Sequence, residues 1–414
     1  MPDRGRERDR KADILATAAS VFATSGLRAS LQEVADACGI LPGSLYHHFE
    51  SKEAIFVELV EQYQAELDAI AEKSLEELRS DPRPPEAQII DLGTAIADCA
   101  VRNRAALLLT FYEPHAGASD ELVRLASRTP TEITGAMLAV LKSAKSNGAL
   151  RPGLDLEILA DRLCQSMLHV GIGVYSRTRG AERFPAAKCQ MLLHGIAVDA
   201  PDNERLDRSR ATRAADDVMK SWDDSTDSSD KGARIRAVAR AEFAKRGYEL
   251  TTVRDIAAAA GVSTGAVYRL IDSKDDLLLS IMQTYVENVT TGWTRIVESG
   301  STPVEQLDAL VWFNVNVVHR FPEEHKIQQA GLRQSPPQTP NLTMSFTAQL
   351  RQLKTLVSEG LRAGEFQVDG ASLEMAARCV FALAFTPENI IQTLGTRRAL
   401  RFDRDTFLRG AARS

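Results

Sequence analysis

The side chains best suited to touching a charged polymer stand close together twice in this sequence. Tyr46 and His47 precede Lys52, and Tyr268 and Arg269 precede Lys274. Just upstream lie Leu41-Pro42-Gly43-Ser44 in the first place and Ser263-Thr264-Gly265 in the second. A tyrosine sets a hydroxyl beside a phosphate backbone while its ring packs on its own domain. A guanidinium such as Arg269 can pair with guanine through two hydrogen bonds or hold a phosphate, and both readings stay open. Lys52 and Lys274 open a helix, where free N–H groups and the helix dipole already favour an anion. Ser30 and Thr252 suit either a phosphate contact or a helix cap. These are binding groups rather than reacting ones. The chain has no HExxH, no GxSxG, no phosphate-cradling glycine loop and no carboxylate pair in a pocket-like setting, so neither enzymatic chemistry nor a cofactor is expected. His47 and His48, with Glu50 nearby, are adjacent on a helix and diverge by about 100°, which makes a poor chelate; no metal is expected.

What positions these residues is an internal repeat. The segment from Ile14 to Phe56 and the segment from Ile235 to Leu278 share landmarks in register: Phe22 with Phe243, Gly26 with Gly247, Gly39 with Gly261, Gly43 with Gly265, Tyr46 with Tyr268, and Ser51-Lys52 with Ser273-Lys274. The second copy carries one extra loop residue. In each copy apolar residues at three- and four-residue spacing (Ile14, Leu15, Ala18, Val21, Phe22) mark a first helix stopped by glycine. Ser30-Leu-Gln-Glu33 and Thr252-Val-Arg-Asp255 then signal the start of a short second helix over 31–37 or 253–259. A glycine turn leads to a third helix over 43–49 or 265–271, and Ser51 or Ser273 caps a long fourth. This is a helix-turn-helix, whose later short helix enters the DNA major groove.

The two readers differ. His47-His48 is replaced by Arg269-Leu270, and Leu41-Pro42 by Ser263-Thr264, so an operator with unlike half-sites is expected. From Lys231 to Lys274 there are nine Lys/Arg against four Asp/Glu, while Met1 to Lys52 is balanced at seven and seven. The second copy should therefore carry more of the non-specific affinity.

Composition bounds the rest. A chain of 414 residues exceeds one ordinary domain, and 44% hydrophobic with 26% charged residues describes a folded globular protein. A net charge of −6 argues against a histone-like, non-specific DNA binder. The charged N-terminus is neither a signal nor a transit sequence, and no apolar run is long enough for a membrane, which points to the cytoplasm. Cys38, Cys99, Cys164, Cys189 and Cys379 lack CxxC spacing and read as free thiols in a reducing compartment. No sustained period-two pattern occurs, so the fold is all-α.

GILPGSLYHHFESKEAIF and GVSTGAVYRLIDSKDDLL resemble the TetR-family signature of a small turn residue, an aromatic on the recognition helix and a Ser-Lys opening helix four. The resemblance covers about 45 residues twice. It implies two tandem units, each a DNA-binding domain followed by a helical ligand and dimerisation domain: 8–56 and 57–198, then a linker over 199–232, then 233–278 and 279–414. It also implies a four-helix interface that joins the two halves of one molecule, so that a monomer acts as an intramolecular pseudo-dimer on a double-stranded DNA operator. The tandem form resembles the two-copy TetR-type regulators of actinobacteria that control lipid or sterol uptake genes. In the family the helical domain encloses an inducer pocket. Phe111, Tyr112 and His115 in the first half, with Trp312, Phe313 and Asn316 in the second, combine bulk with a few polar groups, as the wall of a site for a small apolar effector would. A plain core explains them equally well. Two rival readings stand beside the effector-released repressor: an effector-independent or architectural DNA-binding regulator, and a chain in which one copy binds a protein partner.

Overall fold

The computed structural model describes residues 3–80, 83–111, 113–114, 118–172, 181–222, 231–333, 340–368 and 370–413. Among them the fold is all-α, with no strand. The first unit opens with α1 (Asp3–Ser25), α2 (Leu31–Ala37), α3 (Pro42–His48) and α4 (Lys52–Glu77). Its body continues with α5 (Pro85–Arg102), α6 (Arg104–Thr110), α7 (Asp120–Ala126), α8 (Thr131–Ser146), α9 (Leu156–Ile172) and α10 (Phe184–His194). An apolar pattern runs on through residues 87–110 and again through 122–146, yet each stretch forms two helices. Asn103 leaves helical geometry (φ −99°, ψ 32°) between α5 and α6, while α7 ends at its C-cap Ser127 and Pro130 stands at the N-cap of α8.

Between the units lie α11 (Asn203–Asp207) and α12 (Arg210–Lys220), each started by a side-chain cap, Asp202 and Ser209. The second unit repeats the opening with α13 (Lys231–Arg246), α14 (Val253–Ala260), α15 (Thr264–Tyr268) and α16 (Lys274–Val297). Its body holds α17 (Pro303–Arg320), α18 (Pro322–Arg333), α19 (Pro340–Arg362), α20 (Leu373–Leu383), α21 (Glu388–Leu394) and α22 (Thr396–Asp403), and a π-turn over Arg404–Leu408 follows. Helices α18, α21 and α22 are absent from the sequence reading. The expected linker is only partly a linker: α12 packs on α16 and α17, and Trp222 is buried edge-on against Phe313 and Phe321 (centroids 5.4 and 5.1 Å). Residues 203–222 are thus part of the second half's core. The acidic run Asp223–Asp230 lies outside the described residues.

The halves join through reciprocal contacts. Ile196 N–H donates to Phe407 and Ala197 N–H to Leu408; in return Ala411 N–H donates to Leu192 and Ala412 N–H to Leu193. Further out Arg151 N–H reaches Ala411 and Gln367 N–H reaches Ile196, while Val198 N–H reaches Glu365 and Arg413 N–H reaches Ala149. Each bond has its mate with the halves exchanged, which is the signature of an isologous, two-fold contact made within one chain. Around it α10 packs on α20 and on the π-turn, and α9 reaches α20 through Arg162.

Candidate nucleic-acid interface

The start of each DNA-binding unit is fixed by a reciprocal cap. Ser30 Oγ accepts the Glu33 N–H (3.2 Å) while Glu33 accepts the Ser30 N–H (2.6 Å). Thr252 and Asp255 repeat this at 3.2 and 2.8 Å. Backbone and side-chain hydrogen bonds from Ser30 hold the Glu33 carboxyl below the usual range. Of the two roles open to Ser30 and Thr252, capping is the one the geometry carries. Gly261, in the left-handed region at φ +67°, then ends α14 and lets the chain turn; Gly39 does the same at φ +64°.

The short helices that follow are anchored by one fully buried residue each, Leu45 and Val267. Their outer faces are open. Leu41 is exposed at the N-cap of α3, Gly43, Ser44, Tyr46 and His47 are exposed along it, and Pro42 is half-buried at its first position. Ser263, Gly265, Tyr268 and Arg269 are exposed at α15, Thr264 is half-buried, and Ser263 also caps the helix by accepting the Ala266 N–H. Tyr46 and Tyr268 are 53% and 54% exposed, so the two copies present their aromatic rings alike while the neighbouring side chains differ.

Lys52 and Lys274 turn inward instead of toward a phosphate. Lys52 Nζ donates to the Leu27 carbonyl (2.6 Å) and lies over the rings of Phe22 and Phe56. Lys274 Nζ donates to the carbonyls of Tyr248 (2.9 Å) and Thr251 (3.2 Å), 4.0 Å from the Tyr248 ring centre. Burial lowers the pKa of both amines. Each lysine fastens the loop after the first helix to the start of the fourth, which sets the reading head on its long lever.

The basic surplus of the second copy is also partly spent inside the protein. Arg240 pairs with Glu323 and Glu324, Lys245 with Glu113, and Arg246 with Glu242. Sequence reading missed one contact between the copies altogether: Arg28 meets Glu249 at 3.4 Å. The two residues sit two places after Gly26 and Gly247, at equivalent points of the repeat, so the register of the repeat was the signal that could have found them.

Of the residues expected around an effector, Phe111 lines a cavity of about 300 Å³ in the first half, together with Tyr63, Leu67, Leu107 and Leu168 and the polar Gln64, Asp68 and Arg128. Arg128 and Asp68 pair at 2.9 Å. Tyr112 and His115 lie outside the described residues. The second-half set is packed: the Trp312 indole donates to Asp216 (2.8 Å) under the Arg397 guanidinium, Phe313 is fully buried against Trp222, and Asn316 donates to the Trp312 carbonyl. There the positions equivalent to the lining residues Leu107 and Leu168, and to Ala71 one turn beyond Leu67 on α4, carry His325, Phe385 and Trp293. Phe385 stacks on both Trp293 and His325, which fills the corresponding space.

Among the described residues no cluster of His, Cys, Asp and Glu is placed to hold a metal ion, and no helix is long and apolar enough to cross a membrane. Cys99, Cys164, Cys189 and Cys379 are buried free thiols and Cys38 is half-buried.

The family model for bacterial regulatory proteins of the tetR family matches residues 14–59 and 235–281. The chain is 32% identical over 169 residues to the HTH-type transcriptional repressor KstR2 of Rhodococcus jostii, an alignment covering 40% of this chain and 79% of that protein. It belongs to the tetR family of bacterial regulatory proteins. KstR2 of Mycobacterium tuberculosis is 30% identical over 134 residues, covering 32% of this chain and 67% of that repressor. The solved structure of the ketosteroid transcriptional regulator KstR2 of Mycobacterium tuberculosis superposes with a TM-score of 0.35 at 21% identity, covering 42% of this chain and 95% of that one. This chain carries the TetR DNA-binding unit twice, and the relatives it matches are named transcriptional repressors.

Proposed function

We propose that the chain is a transcriptional repressor that binds one asymmetric operator as a single molecule, with α3 reading one half-site and α15 the other. The observation that carries this reading is the reciprocal contact between the halves, which supplies within one polypeptide the two-fold frame that presents two recognition helices. Because His47 and Arg269 occupy equivalent places on the two readers, the half-sites they recognise should differ. The test is a footprint on the protein's own upstream region combined with a stoichiometry titration. One chain per site on a non-palindromic sequence is expected; two chains on a perfect palindrome would overturn the reading. Loss of binding from Tyr46→Ala with His47→Ala, and separately from Tyr268→Ala with Arg269→Ala, would exclude a copy that serves only a protein partner.

The effector reading rests on the first-half cavity, whose wall is mainly apolar with one ion pair at its edge. Such a wall suits an apolar molecule with a polar end, in keeping with control of lipid or sterol uptake. Tyr63 and Leu67 lie on α4, whose first residue Lys52 holds the reading head, so occupancy that shifts α4 would move α3. Release of operator DNA by a fatty acid, acyl thioester or sterol supports this. Retention of DNA across such a panel leaves the effector-independent regulator.

A further inference from the structure

The reciprocal backbone bonds fix which residues of the two halves correspond. Ile196 answers to Ala411 and Leu192 to Phe407, so Lys188 answers to Asp403. The capping residues Asp155 and Ser372, each followed by Leu-Glu, align α9 with α20, so Arg162 answers to Cys379. In a contact between two identical units, equivalent positions would carry identical side chains. Here they do not. Arg162 faces Asp403 across the interface at 3.9 Å with both side chains buried, 2% and 1% exposed. The mate of that contact brings Lys188 near Cys379, again buried, with a neutral thiol beside the cation. Arg162 also donates to the carbonyls of Leu383 (2.5 Å) and Phe385 (2.9 Å), and Lys188 to that of Ser166 (3.1 Å), while Asp403 accepts from Thr386. The same asymmetry recurs between the DNA-binding ends, where equivalent positions carry Arg28 and Glu249 and pair.

We propose that these positions decide which halves can pair: the interface accepts one first half with one second half and rejects two like halves. Two first halves would place Arg162 opposite Lys188 twice, giving four buried cations and no anion. Two second halves would place Cys379 opposite Asp403 twice, leaving two buried carboxylates without a cation. A buried charge without a partner is among the costliest defects a protein can carry, whereas the mixed pairing opposes charge to charge or charge to thiol. At the DNA-binding ends like pairing would set Arg28 against Arg28 or Glu249 against Glu249. The partner this surface fits is therefore the complementary half, which the same chain supplies. A single-unit relative offering first-type residues to a first half would be refused.

The test uses the full-length chain. Cys379→Arg with Asp403→Lys gives the second half the first half's residues at these positions. The melting temperature should fall by about 10 °C or more, and sedimentation should show an expanded or multi-chain species. Adding Arg162→Cys and Lys188→Asp to that chain mirrors the arrangement, and should restore at least half of the lost melting temperature and the wild-type sedimentation coefficient. The proposal is overturned if the double variant keeps wild-type melting and sedimentation. It is equally overturned if the fourfold variant is no better than the double, because the damage would then be over-packing rather than charge.

Discussion

Gly195 and Gly410 cross back to back where the two halves exchange their chains. A Cβ on Gly195 would lie 2.5 Å from the Leu408 carbonyl oxygen, and one on Gly410 would lie 2.6 Å from the carbonyl oxygens of Leu193 and His194. Both residues also hold positive φ, +75° and +84°. The obstruction is backbone on each side, so no side-chain rotation relieves it.

Gly195→Ala and Gly410→Ala should therefore each cost about 3 kcal/mol or more, combining a left-handed strain with a backbone clash. Because both substitutions open the same crossing, the double variant should cost less than the sum of the singles. Urea unfolding followed by tryptophan fluorescence measures this; additive losses, or a loss below about 1 kcal/mol from either glycine, would count against the crossing.

Lys52 makes a distinct case because the expected role and the observed one predict different measurements. As a loop staple, Lys52→Met should lower the stability of the first reading head by about 1–3 kcal/mol and weaken operator binding through disorder. The slope of log K against log salt should stay unchanged. A lysine that neutralises a phosphate would instead lower that slope by about one on removal.

The repeat, the caps and the outward face of each recognition helix were legible because they follow from local rules: Ser30 with Glu33, glycine after α14, an exposed aromatic one turn past Gly43 or Gly265. Breaks such as Asn103 were not, since an apolar pattern runs straight through them and the turn is imposed by packing. The inward aim of Lys52 and Lys274 depends on a loop folded over by the first helix, which spacing does not encode. Trp312 and Phe313 have the composition of a pocket wall, yet their fate was settled by Trp222 and Asp216, about 90 residues away in the chain.

Filling the first-half cavity with the second half's own residues separates sensing from DNA binding. Ala71→Trp with Leu168→Phe should abolish release of operator by any member of a panel of fatty acids, acyl thioesters and sterols that releases the wild type. Operator affinity without effector should stay within about threefold, since the second half carries these same residues, Trp293 and Phe385, behind a reading head of its own. Mobility-shift titrations with and without the panel read both quantities. Effector release that survives the double substitution would move the sensing site elsewhere.

Lys188 makes the interface sensitive to alkaline pH. Burial, with Arg162 nearby, pulls its amine down to about 8 from the ordinary 10.5, against smaller opposing effects from Cys379 and Cys189. The folded state thus binds the proton less tightly than the unfolded chain. Where the unfolded chain holds more protons, stability rises with pH, and for this group that window lies between about 8 and 10.5. Lys188→Met, which keeps the length and removes the charge, should raise stability at pH 7 by up to roughly 3 kcal/mol. The benefit should shrink to about 0.4 kcal/mol at pH 10.5, where the wild-type amine is neutral in the folded state and half-neutral in the unfolded chain, and vanish above it. Urea unfolding at pH 7, 8.5 and 10 gives the two curves. If the wild-type and Lys188→Met curves run parallel across that range, the amine is not held neutral by the interface, and its burial is offset by partners other than the Ser166 carbonyl it touches.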